Sequence, residues 1–136
     1  MATSRVYSRF LKESTLALRP LISPLGFGFD GGGTVLVSGS KIRRVITSPC
    51  HIVGWRLIGD QTGSITLDIK KATPSGQTLN FTSIVAAAAP SLSNQVVANN
   101  TTLTGWTKIL QVGDVLEVSI SSVSDLNTIA LTLEIR

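Results

Sequence analysis

The sequence predicts an all-β domain, a jelly-roll-like antiparallel β-sandwich of about eight strands, preceded by an extended N-terminal arm. Three observations carry this reading. Short apolar–polar alternations recur from residue 35 to the end, the period of strands with one face on a core and one in water. Clusters of Gly, Pro, Asn, Asp and Ser separate these runs at the short intervals of an all-β chain. Finally, residues 1–24 carry Arg5, Arg9, Lys12 and Arg19 against Glu13 alone, a net of +3, whereas the rest of the 136-residue chain nets only +1. A basic leader therefore precedes a near-neutral body, and the division falls between an arm at 1–25 and a β-sandwich domain at 26–136.

In the arm, Val6, Phe10, Leu11, Leu16 and Leu18 are apolar but mark no helical stripe. A short helix over residues 4–12 is compatible with Ser4 as its N-cap, and Pro20 and Pro24 bar a long one. The Arg- and Ser-rich, acid-poor composition is also that of a mitochondrial presequence. Nothing downstream looks like a matrix enzyme, so an arm that leaves the domain and packs on a neighbour is the more economical reading. Residues 26–33, GFGFDGGG, lack both the lysine of a phosphate-binding loop and the GxGxxG spacing of a dinucleotide site. They read as a mobile turn into the first strand.

The body then alternates. A strand begins at residues 35–37, 38–40 turn, and 41–47 form a strand with Ile42 and Ile46 on one side before Pro49 closes it. Residues 50–71 read as a hairpin. Val53, Trp55 and Leu57 share one face, 59–63 turn with glycines at both ends to take positive φ, and Ile65, Leu67 and Ile69 alternate with polar residues. A β-turn is expected at 73–76, a strand at 77–84 with Leu79 and Phe81 on one face, and a long connection at 86–102 with room for one helical turn after Pro90. Strands resume at 103–106, 115–121 (Leu116, Val118 and Ile120 inward) and 128–136 (Ile129, Leu131, Leu133 and Ile135 inward). Two Gly-Trp pairs, 54–55 and 105–106, read as core plugs with glycine relieving the crowding; a tryptophan on an exposed rim would instead stack on a sugar ring.

Composition narrows the function. Apolar residues make up 43% and charged ones 15%, which suits one domain with a real core. No apolar run reaches the roughly 18 residues of a membrane span. A single cysteine excludes an internal disulfide framework and leans towards synthesis in the cytosol; a single histidine argues against most zinc sites, so no metal or other cofactor is expected. Cys50 reads as a small buried hydrophobe and His51 as a strand residue near a turn. Asp30, Asp60, Asp114 and Asp125 each sit among turn residues, where aspartate caps backbone amides. No GxSxG elbow and no DxDxDG loop occurs, so the chain is not expected to be an enzyme. Lys41 and Arg43 point to one side of their strand and Arg44 to the other, which breaks up a basic patch, so neither a nucleic-acid nor a membrane partner is expected.

The segments GFDGGGTVLVSGSK, GWRLIGDQTGSITLDIKK, PSLS, TTLTGW, VGDVLEVSISS and TIALTLEI, in this order, resemble a β-sandwich module of tailed-bacteriophage virion proteins. That module is found in capsid decoration (cement) proteins and tail-fibre tip domains. The resemblance covers about residues 27–136 and brings no catalytic residue with it; Arg56 and Ile58 depart from the less charged pattern of relatives. It implies a virion component, trimeric like many phage fibre tips and decoration proteins, made in the host cytoplasm. A fibre would need a shaft or heptads ahead of the tip, and the first 24 residues hold neither. A basic-apolar arm ahead of a compact domain suits a capsid decoration protein whose partners are the major capsid protein and its own copies. Arg5, Tyr7, Arg9, Phe10, Lys12 and Arg19 are the expected contacts, being of the types that anchor interfaces. The alternative is a receptor-binding or baseplate-attached module meeting a host surface glycan through residues 94–102 and 61–63.

Overall fold

The computed structural model describes residues 24–136. The expected all-β antiparallel architecture is present: eight strands, and no helix among the described residues. They are β1 (Leu25–Asp30), β2 (Lys41–Val45), β3 (Cys50–Ala72), β4 (Thr82–Ser83), β5 (Ser91–Asn100), β6 (Ile109–Leu110), β7 (Val115–Ser124) and β8 (Thr128–Ile135). The two faces of the sandwich are joined through β3 into a nearly barrel-shaped whole, with strand order β1-β8-β3-β7-β2 along the main path.

The expected hairpin at 50–71 is instead one continuous strand of 23 residues. Its first half pairs with β8, from Ile52↔Ile135 to Gly59↔Ile129, and its second half with β7, from Ser64↔Ser124 to Ala72↔Val115. β7 and β8 thus follow one another along the same edge of β3, interrupted only at 125–127. The opposite edge takes β6, β5 and β4 in turn. Gly59 and Gly63 do not mark a turn, and neither has a positive φ. They are glycine because Leu126, fully buried, enters the interior beneath them: a Cβ at either would stand 2.7 Å from its side chain. Residues 60–62 are all exposed, and β5 skips them by passing from Ile58↔Val97 to Gly63↔Gln95.

Bulges set which residues face inward. Val53 is the extra residue between Ile52↔Ile135 and Gly54↔Glu134, so the buried set changes from Cys50 and Ile52 to Trp55 and Leu57. Ser121 does the same in β7, after Leu116, Val118 and Ile120. These side chains join Ile65, Leu67, Ile69, Leu131 and Leu133 in one apolar cluster. Full burial of each such side chain contributes roughly 1.5–3 kcal/mol. Trp55 and Trp106 are both core plugs, as expected, and the Trp106 indole N–H donates to the Ala88 carbonyl at 2.9 Å.

Further expectations need correction, among them the strand at 103–106, which is irregular with a turn at 104–105. Residues 26–30 are not a turn but most of β1, whose Phe27 and Phe29 face the core. Residues 35–37 form no strand, although Leu36 is buried and its N–H donates to the Leu126 carbonyl. The connection expected at 86–102 contains β5, ten residues long, and the strand expected at 77–84 is reduced to β4. Arg44 closes the barrel. From β2 it crosses to the other end of the strand path, where Nη1 donates to the Gly26 carbonyl of β1 at 2.8 Å and the guanidinium lies 5.9 Å from the centre of the Phe27 ring.

Candidate interaction surface

The aspartates behave largely as their turn positions predict. Asp30 Oδ1 accepts the Gly32 N–H at 2.8 Å, and Asp114, almost fully buried, accepts the Gln111 N–H and the Thr73 hydroxyl, each at 2.8 Å. Asp60 Oδ1 accepts the N–H groups of Asn127 (3.0 Å) and Thr128 (3.2 Å), tying the exposed corner of β3 to the β7–β8 junction. The Thr128 N–H, helped by that of Asn127, holds the Asp60 carboxyl below its ordinary range. Gln61 adds a bond from its side-chain amide to the Asp125 carbonyl. Asp125 itself takes φ 64° and contributes the turn.

The glycan-contact candidates of the sequence, 61–63 and 94–102, are brought together, since Gly63 pairs with Gln95 and Ser64 Oγ accepts the Asn94 N–H at 3.0 Å. Many of their polar groups are already engaged. Gln95 accepts the Ser93 N–H at 3.0 Å and donates to the Val97 carbonyl at 2.9 Å, and Asn100 Oδ1 accepts the N–H groups of Thr102 and Leu103. Gln95 thereby blunts the outer edge of β5 with its own side chain. The arm contacts Arg5, Tyr7, Arg9, Phe10, Lys12 and Arg19 lie outside the described residues.

Two of the shallow depressions formed by the described residues bear on binding. One, about 460 Å³, lies between β3 and the segment entering β6 and is lined by His51, Val53, Thr101, Trp106, Lys108 and Ile109 among others. No carboxylate lines it. The other, about 490 Å³, lies on the outer face of β1, β8 and β3. Its floor is Gly28 and Ala130, which are register partners; Ile58, the partner of Ala130 on β3, forms one wall; Asp30 and Asp60 stand at one end. Val97 of β5 continues the row beyond Ile58, and both are more than half exposed. This groove is not legible in the sequence because its residues come from three distant segments. The signal available was glycine at two successive outward positions of a strand.

Among the described residues no group of three or more His, Cys, Asp or Glu side chains is placed to hold a metal ion. Cys50 is buried, and that burial raises its thiol pKa, making it a poor nucleophile at neutral pH. The groove therefore offers shape, apolar contact and negative charge.

No family model matches the chain, and no curated protein matches it. Among solved structures it is similar to one described as the structure of infectious bursal disease virus, Gx strain, at 10% identity and a TM-score of 0.25. The match covers 82% of this chain and 35% of that one. It is a weak likeness to a viral β-structure and carries no argument about function.

Proposed function

We propose that the chain is a virion structural protein that decorates a capsid, binding the assembled shell as a trimer and clamping neighbouring subunits through residues 1–25. The observation that carries this reading is where the basic segment joins the domain. The chain enters the barrel through β1, at one end of the strand path, with Leu25 opposite Leu133. That the basic-apolar segment joins the domain at this end of the strand path supports reading it as a link to a neighbouring chain, and the ordered resemblance to phage virion modules suggests the kind of neighbour. Many weak contacts repeated over a shell add through effective concentration. The role is one of binding, not catalysis.

The test is to add purified protein to particles lacking it and count bound copies, for the full chain and for Arg5→Glu/Arg9→Glu/Lys12→Glu. Copies spread over the shell and lost with the charge reversals support decoration; shell binding indifferent to them overturns the role of the arm. A second reading, a tail-attached module for a host surface glycan, is favoured by the meeting of 61–63 with 94–102 on one surface. Binding confined to the tail, or to host cells, would establish it instead.

A further inference from the structure

The outward positions of β1 are Gly26, Gly28 and Asp30, opposite in sense to the buried Phe27 and Phe29. Nothing within the domain requires those two glycines. Neither has a positive φ, a Cβ on Gly26 would meet nothing within 4 Å, and one on Gly28 would meet only the Ile129 carbonyl oxygen at 4.0 Å. Glycine weakens a strand interior, and it often marks a bulge, a tight bend or a site where a ligand or another backbone comes close. β1 pairs with β8 without a register shift, which favours close approach. The bare face of β1 opens into the groove floored by Gly28 and Ala130.

We propose that this groove is the docking site of the chain's own N-terminal segment, residues 4–12 (SRVYSRFLK), folded back over β1 of the same molecule. Chain length and charge both favour this occupant. A chain leaving the barrel at Leu25 and turning back passes over Gly26 first, then Gly28, then Ala130 and the acidic end. The 13 steps from Lys12 to Leu25 span up to about 40 Å when extended, against about 20 Å for the length of β1. Tethering at the groove's own edge gives the segment a high effective concentration there. The charges match: the segment carries Arg5, Arg9 and Lys12, and the groove ends in Asp30 and Asp60. Each of these carboxylates is fixed by a backbone bond to Oδ1, and its Oδ2 has no hydrogen-bond partner among the described residues. The nearest outward cation along β3, Arg56, is neutralised by Glu134 at 2.7 Å. The segment also contains apolar residues, Val6 and Phe10 among them, to match the apolar Ile58 and Ala130 of the groove. The inference does not rest on the virion reading. In that setting it means the arm is stowed on its own domain before it meets a shell.

The test uses the full chain with Cys50→Ala and a nitroxide spin label on Ser8→Cys. Amide signals of Gly28, Thr128 and Ala130 are expected to broaden severalfold against the same sample with the label reduced. They should recover in a mixture where the isotope-labelled chains lack the nitroxide and the nitroxide chains lack the isotope. Arg5→Glu/Arg9→Glu, which leaves the barrel untouched, should abolish most of the broadening; so should Ala130→Arg, with unchanged methyl signals of Leu67 and Leu131 as the check on folding. Three results overturn the proposal: no broadening at the groove, broadening undiminished in the mixture (the segment of a second copy), or broadening indifferent to the arm's charge reversals.

Discussion

Two pairs of glycines on this barrel are there for opposite reasons. Gly59 and Gly63 lie under the corner of β3, where Leu126 stands 2.7 Å from the place a Cβ would take. Gly26 and Gly28 lie on the outer face of β1, with open space above them. The first pair is dictated by packing inside the molecule. The second has no internal cause, so its cause is sought outside. A glycine in a strand thus has to be judged by what its missing methyl would meet.

The comparison is broken most severely at Leu126. Leu126→Ala empties the space that both inner glycines make, and the loss of stability expected is about 2–5 kcal/mol, read from chemical denaturation. Gly63→Ala attacks the same contact from the other side. Its methyl would meet the Ser124 carbonyl at 2.8 Å as well as Leu126, and backbone cannot swing aside as a side chain does. A cost of about 1–3 kcal/mol is expected in the same measurement. By contrast, Gly26→Ala and Gly28→Ala should each change stability by no more than about 1 kcal/mol, in either direction. A large loss at Gly28 would place it with the inner pair and remove the reason to look for an external occupant.

The smallest effect is a pH dependence at the corner. The Thr128 and Asn127 N–H groups depress the folded-state pKa of Asp60, so its contribution is fully present above the unfolded value of about 3.9 and disappears as pH falls through the lower folded value. The Tm difference between the wild-type chain and Asp60→Asn should therefore stay constant from about pH 7 to 5 and shrink below about pH 4. A difference that instead grew with acid would show that Asp60 does not cap the 125–128 turn as an ionised group.

Much of the fold was legible in the residues. Strict alternation at 65–69, 116–120 and 129–133 located strands and their inward faces correctly, because each is half-buried against a continuous core. The errors share a physical origin. At 59–63 glycine imitates a turn signal, but its use there is close approach, a contact with a residue more than sixty positions away. In β1 the outward glycines imitated a loop. β5 was missed because it lies along one edge of β3 with most of its side chains in water, leaving no alternation to detect. The groove was illegible for a related reason: Gly28, Ile58 and Ala130 become neighbours only through strand register. Arg44 shows the opposite case. Its separation from Lys41 and Arg43 was plain from period two, and the structure adds what that position does, which is to close the barrel.

The placement of β3 bears on how the protein is made. Five other strands bond directly to it, and the remaining two reach it through β7 and β8. As the chain leaves a ribosome, β3 is complete at residue 72, yet the partners for its long edge begin only at residue 115 and finish at 135. Over that interval an apolar ribbon waits without its main cover, and no smaller native-like barrel exists for it to join. Folding of these strands should then be a late, largely all-or-none event once residue 135 has been made, slow in the manner of topologies dominated by distant pairings. Cells producing it would benefit from a chaperone that shields one exposed strand for the time it takes to translate residues 73–135.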